Sequence, residues 1–216
     1  MIKEKRKVEN LFKKFGQKGI NLAQKISQNK FVASIMESFI LVMPIIIAST
    51  LFILIAELPI SFGYKPSADS WYNDFKAFCL RLYNLSYGLL GACLCIAISS
   101  RMSEKINSKL EASKKMNIII NAFSTYIAYF LISVGHSKDG SFFNILFSIF
   151  GVKGIFISII CGTIVPWFFY LCYKFNIIIR LPKQVPQNIS QAFLNIFSLL
   201  FVIIVFGVFG FLFAFF

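Results

Sequence analysis

Apolar positions in this chain come in long unbroken runs, unlike the alternation of a half-buried strand or the one-sided stripe of a soluble helix. Five runs hold no Asp, Glu, Lys or Arg: residues 38–56, 82–100, 116–137, 154–173 and 184–216, with lengths of 19, 19, 22, 20 and 33. A helix needs roughly 20 residues to cross a hydrocarbon core of about 30 Å, and every run reaches about that length. Backbone in lipid must satisfy its own hydrogen bonds, and the runs lack the period of two that a barrel strand would show. The pattern predicts an all-α integral membrane protein with about five transmembrane helices. A sixth apolar stretch, residues 140–152, has 13 charge-free positions and suits an interfacial or re-entrant piece.

The residues before the first run have a different character. Val8, Leu11, Phe12 and Phe15 recur at helical spacing, while Lys13, Lys14, Lys18 and Lys25 lie elsewhere around the turn. This describes an amphipathic segment resting on an anionic inner leaflet, with a solvated basic tail as the alternative. Gly16 and Gly19 lower its helix propensity in the middle. The chain therefore divides into a basic cytoplasmic segment, 1–30, and a five-span membrane domain, 31–216.

Composition sharpens this division. Hydrophobic residues make up 57% of the chain and charged residues 14%, whereas a soluble domain carries about a quarter charged residues. The net charge of +13 raises the question of nucleic acid, and the placement of the 22 basic residues answers it. Seventeen fall before the first run and in the second and fourth loops; five fall in the other two loops. That asymmetry is the positive-inside bias, and it places the N-terminus in the cytoplasm of a multi-pass protein of the cell membrane. Basic residues are not interleaved with aromatics in a soluble module, so no nucleic-acid partner is expected. No cleavable signal peptide is evident, because the chain opens on IKEKRK, and the first span reads as its own targeting signal.

Few residues inside the runs carry chemistry. Pro44 and Pro166 read as kinks whose freed carbonyls are satisfied by neighbours. Glu37 and Glu57 flank the first run and suit either boundary carboxylates or a functional partner role. Gly88, Ala92, Cys95 and Ser99 follow a 4, 3, 4 spacing and form a stripe of small side chains, against which another span or a second copy could pack. His136 falls at the outer end of the third run, as an interfacial hydrogen-bonding residue. The cysteines Cys79, Cys93, Cys95, Cys161 and Cys172 lack metal-ligand spacing and read as small packing residues. There is no GxxxxGK[ST], GxGxxG or HExxH motif, and one histidine with nine carboxylates assembles no convincing acid and base pair. No cofactor, metal or catalytic residue is assigned.

The region from Gly151 onward, GVKGIFISIICGTIVPWFFYLCYKFNIIIRLPKQVPQNISQAF, carries a resemblance. It is similar to the membrane (IIC) component of the sugar phosphotransferase system, in the lactose, cellobiose and diacetylchitobiose family. The matching positions are Gly151 and Gly154 at the start of a span, Leu181-Pro182 and Val185-Pro186 in a cytoplasmic segment, and Ser190 with Phe193 after it. A second block, SQNKFVASIMESFILVMPIIIASTLFILIAELP, resembles the family's first span, with the kink at Met43-Pro44. Met36-Glu37-Ser38 departs from the Arg-Asp-Gly often found there, and the loop SSRMSEKINSKLEASKKMN is more basic than the family pattern.

The resemblance implies uptake of a disaccharide such as cellobiose, lactose or diacetylchitobiose, phosphorylated from a phosphocysteine on the partner IIB protein, with IIA as a further partner. It also implies that the sugar-binding hairpins and the active-site His and Glu belong to the second half of a chain roughly twice this length. Those motifs are absent, so this chain corresponds to the N-terminal half, which the family uses for dimerisation and as a scaffold. Its end at Phe216 inside an apolar run looks like an interruption. The competing expectation is a truncated, non-transporting scaffold or dimerisation protein. Two prolines so close together cannot both lie in one regular helix, so residues 180–193 are expected to be a shaped connector, either facing IIB or forming a rigid turn.

Overall fold

The computed structural model describes residues 29–67, 71–111, 115–135, 151–175, 177, 193 and 195–215. Its described residues form six α-helices and one 3₁₀ turn: α1 (Lys30–Ser61), α2 (Trp71–Gly88), α3 (Leu90–Asn107), α4 (Ile118–Gly135), the turn Val152–Gly154, α5 (Ile155–Lys174) and α6 (Ile196–Phe215). The fold is all-α. The described part of each charge-free run is helical apart from its ends and a break in the second, and three segments, Lys30–Ser61, Trp71–Asn107 and Val152–Lys174, are long and apolar enough to cross a membrane. Shorter apolar helices cover Ile118–Ser133 and Ile196–Leu212.

Two runs are reshaped by what surrounds them. The first helix reaches well beyond residues 38–56, starting at an Asn29 cap whose side chain accepts from the Phe31 N–H and continuing through both Pro44 and Pro59. The second run is not one helix. It straddles a break at Leu89, and helical structure extends outward from it on both sides, to Trp71 and to Asn107. Charge-free composition sees neither feature, because helix ends are set by caps and packing, whereas charges mark only where lipid contact stops.

α3 stands at the centre. Toward α1 it presents Leu90, Leu94, Ala97 and Ile98, which pack with Val42, Phe39 and Ile46. Toward α4 and α5 it presents Ala92, Cys95 and Ile106, in one buried cluster with Ala128, Tyr129, Cys161, Val165 and Phe169. Hydrogen bonds set the directions. Ser34 reaches the Met102 sulfur and Tyr72 donates to the Ala56 carbonyl, so α1 runs antiparallel to α2 and α3 together. Ser158 donates to the Gly91 carbonyl, so α5 starts level with the start of α3 and runs parallel to it. The order of directions is that of a chain crossing back and forth.

Close approach between helices depends on glycine at two places. A Cβ added at Gly162 would lie 2.8 Å from the Ile98 Cβ, and one at Gly210 would lie 2.6 Å from the Leu131 carbonyl oxygen. At Gly207, on the same helix as Gly210, an added Cβ meets nothing within 4 Å. Gly210→Ala should therefore destabilise the fold by about 1–3 kcal/mol, through strain against backbone that cannot move aside. Gly207→Ala should be neutral or stabilising by up to about 1 kcal/mol through helix propensity. Thermal unfolding in detergent, read by a thiol-reactive dye at the four buried cysteines, measures the difference. Equal melting of the two variants would contradict the close approach of α6 to α4.

Candidate functional site

The sequence-named residues fall into three environments. Met43 and Pro44 lie on the outward face of α1, with Met43 about half exposed. Ala92, Cys95 and Ser99 are buried on α3, facing α4 and α5, while Gly88 closes α2 on the other side of the break. Gly151 and Gly154 are buried and bracket the 3₁₀ turn that feeds α5, with the Gly154 N–H donating to the Gly151 carbonyl at 3.1 Å. Leu181, Pro182, Val185, Pro186, Ser190, His136 and the segment 1–28 lie outside the described residues, as do residues 140–150. Gly88 and Gly151, named for separate reasons, line one open depression of about 690 Å³ together with Tyr83, Asn84, Tyr87 and Lys153.

Sequence reasoning missed a polar seam between α3 and α4. Ser99 and Thr125 hydroxyls lie 2.7 Å apart. One turn on, the Asn121 amide donates to the Ser103 hydroxyl at 2.8 Å. One turn further, Asn107 holds the Met116 backbone at both groups, donating to its carbonyl at 2.8 Å and accepting from its N–H at 2.9 Å. Positions 99, 103 and 107 repeat every four residues and meet positions 125, 121 and 116 in descending order, as an antiparallel pair requires. The spacing was visible in SSRMSEKIN, but only the partner helix shows that these polar groups face inward. The Asn121 side-chain oxygen, Oδ1, is buried without a hydrogen-bond partner among the described residues.

Charges sit at the two ends of the hairpin formed by α1 with α2 and α3. Glu37 pairs with Lys105 at 2.6 Å, and the Lys30 ammonium donates to the Lys105 carbonyl at 2.7 Å. At the other end Glu57 pairs with Lys76 at 2.8 Å. Twenty helical residues separate the two carboxylates, about 30 Å of rise, which equals the hydrocarbon thickness. Both carboxylates thus meet a lysine across the helix pair at a membrane boundary. Among the described residues no group of three or more His, Cys, Asp or Glu gathers for a metal. The buried hydrogen-bonding groups of the α3–α4 seam hold helices together.

Comparison with known proteins settles the family. The model of the phosphotransferase system EIIC family matches residues 36–216. This chain belongs to the phosphotransferase system EIIC family. It is 30% identical over 189 residues to the lactose-specific EIICB component of Streptococcus mutans serotype c, covering 88% of this chain and 32% of that protein. The lactose-specific EIICB component of Staphylococcus aureus strain COL matches with the same identity and coverage. The fold matches the crystal structure of the transporter ChbC, the IIC component from the N,N'-diacetylchitobiose-specific phosphotransferase system, with a TM-score of 0.71 and 17% identity. That match covers 88% of this chain and 44% of ChbC. The chain spans about a third of the curated relatives it matches and less than half of the solved EIIC transporter.

Within this EIIC chain the α3–α4 seam is a source of helix association that does not rely on water. A double-mutant cycle with Ser99→Ala and Thr125→Val should give a coupling energy of about 0.6 kcal/mol and at most about 1.7 kcal/mol, the range for such bonds in membranes. Reversible unfolding in mixed micelles measures it; strictly additive effects would remove the Ser99–Thr125 bond from the account.

Proposed function

We propose that this chain supplies the scaffold portion of an EIIC permease that takes up a disaccharide of the lactose, cellobiose or diacetylchitobiose kind and works with IIB and IIA components. One observation carries the reading. A chain matching EIIC from residue 36 to residue 216 superposes on less than half of a diacetylchitobiose transporter. The interior supports the same reading, since a sugar site needs several convergent polar groups and the buried seam side chains Ser99, Ser103, Asn107, Asn121 and Thr125 are engaged in helix pairing. Phosphorylation of the sugar gives it charge, which opposes its return through an apolar core.

In this reading the ends of α1 and α3 that carry Lys30, Glu37 and Lys105 face the cytoplasm, as the basic-residue asymmetry requires. The connector with Leu181-Pro182 and Val185-Pro186 then lies on the same side as the IIB partner, and a homodimer in the bacterial membrane is the assembly the family resemblance implies.

Cells expressing this chain with IIA and IIB should accumulate no phosphosugar from radiolabelled lactose or diacetylchitobiose. Fusion to the remaining EIIC length of a lactose-specific relative should restore uptake. Accumulation by the chain alone would overturn the scaffold assignment, and a fusion that inserts yet never transports would overturn the permease assignment. Orientation is read separately: a cysteine introduced at Ser108 should resist a membrane-impermeant thiol reagent in intact cells and react after lysis.

A further inference from the structure

The antiparallel pair formed by α1 with α2 and α3 has a weak point in both of its strands of helix, and the two lie at one height. Pro44 has no N–H for the Ile40 carbonyl, so α1 loses a rung of its backbone ladder there. Across the pair the break falls at Leu89, between α2 and α3, where the Leu89 N–H reaches the Ser86 carbonyl at a long 3.4 Å. Contacts on either side fix the register: Ser34 meets Met102 on one side of the breaks, and Glu57 meets Lys76 on the other. Carried inward from both contacts, that register sets Leu89 within about one turn of Pro44. Packing agrees, since Leu90 is buried in one cluster with Val42, and Ile46 and Tyr87 pack against that cluster.

We propose that Pro44 and Leu89 form one hinge, about which a hairpin made of α2 and the part of α1 after Pro44 tilts against a frame made of α3 to α6 and the first part of α1. A break in one helix alone would leave its neighbour as a splint; two breaks at one height remove the splint. Three further observations support the hinge. First, each side is tied within itself. In the hairpin Tyr72 donates to the Ala56 carbonyl, Lys76 pairs with Glu57, and the Tyr64 and Tyr72 rings meet edge to face with centroids 5.3 Å apart. In the frame Ser34 and Glu37 of α1 are held by Met102 and Lys105 of α3. Second, little joins the two sides. α2 packs along α1 and has few contacts with other helices, and its buried residues are Tyr72 and Cys79, whereas α3, of the same length, is buried along most of its course. An element with so little buried contact shifts at low cost. Third, the open depression of about 690 Å³ lies at the break, with Tyr83 and Gly88 of the hairpin on one side and Gly151 and Lys153 of the frame on the other, so it gives α2 room to tilt toward the start of α5. The inference goes beyond the scaffold reading and does not rest on it, since it concerns motion within this chain whatever the whole permease carries.

Double electron–electron resonance on the full chain in lipid nanodiscs tests it, with spin labels carried on a keto amino acid introduced in pairs, so that the native cysteines stay in place. Labels at Phe78 and Ile119 report the hairpin against the frame, Ile119 with Phe156 reports the frame alone, and Leu58 with Leu85 reports the hairpin alone; all five positions are exposed. The Phe78–Ile119 distance distribution should be at least twice as wide as either of the others. Pro44→Ala and Gly88→Ala each favour continuous helix at one of the two breaks, and each should narrow that distribution by about half. Pro59→Ala, inside the hairpin, should leave it unchanged. The thiol-dye melting curve shows which variants are folded, and either folded variant at a break suffices for the comparison. Equal widths for the three pairs would overturn the hinge, as would a Phe78–Ile119 width that a folded Pro44→Ala or Gly88→Ala variant leaves unreduced.

Discussion

The arrangement of this chain depends on the packing of α3. Lipid tails are as apolar as leucine, so no hydrophobic gradient drives one membrane helix onto another, and association falls to close van der Waals contact and interhelical hydrogen bonds. α3 offers both. Its small face lets α5 come close enough for Ser158 to reach the Gly91 carbonyl at 2.6 Å, and its hydroxyl and amide face pairs with α4 over three turns. Its remaining face interlocks with α1 through Leu94 and Ile98. Tyr173, at the end of α5, then ties α6 to the bundle through the Asn195 side chain.

Hydrophobicity and burial consequently run opposite to their order in a soluble protein. The uninterrupted apolar sequence IFSLLFVIIVFGVFGFLFAF of α6 exposes Phe197, Leu200, Phe201, Ile204 and Phe209. The mixed sequence LGACLCIAISSRMSEKIN of α3 is buried along most of its length. A position facing lipid gains from bulk and branching, while a position facing another helix gains from smallness or a hydrogen bond. The break at Leu89 fits this division, because α3 begins where contacts with α4 and α5 begin, and α2 beyond it packs along α1.

The polar groups of the α3–α4 seam serve helix pairing. A bundle whose polar groups are used in holding helices together is a rigid frame, and its ion pairs sit at the two boundaries where charge is tolerated. The outward faces are apolar, and a recess between α5 and α6 opens on them.

Much of the fold was legible without coordinates. Five charge-free runs determined five apolar helical segments, because crossing lipid imposes both a length and the absence of charge, and the family was legible in two blocks of motif. The carboxylates Glu37 and Glu57 were marked as boundary residues by position alone, but their lysine partners were not. Lys76 and Lys105 are distant in the chain and become neighbours only when α1 lies antiparallel to α2 and α3. The first part of α2, residues 71–81, was missed because Asp74, Lys76 and Arg81 interrupt its apolar character, although a helix supported by a neighbour accepts them near a membrane surface. The small-residue stripe was seen, with no means of telling which surface met it. The sequence by itself determined how many times the chain can cross and which residues avoid lipid. Only the tertiary structure decided which helix is central, since in a membrane that choice rests on contacts between residues far apart in the chain, which no local pattern encodes.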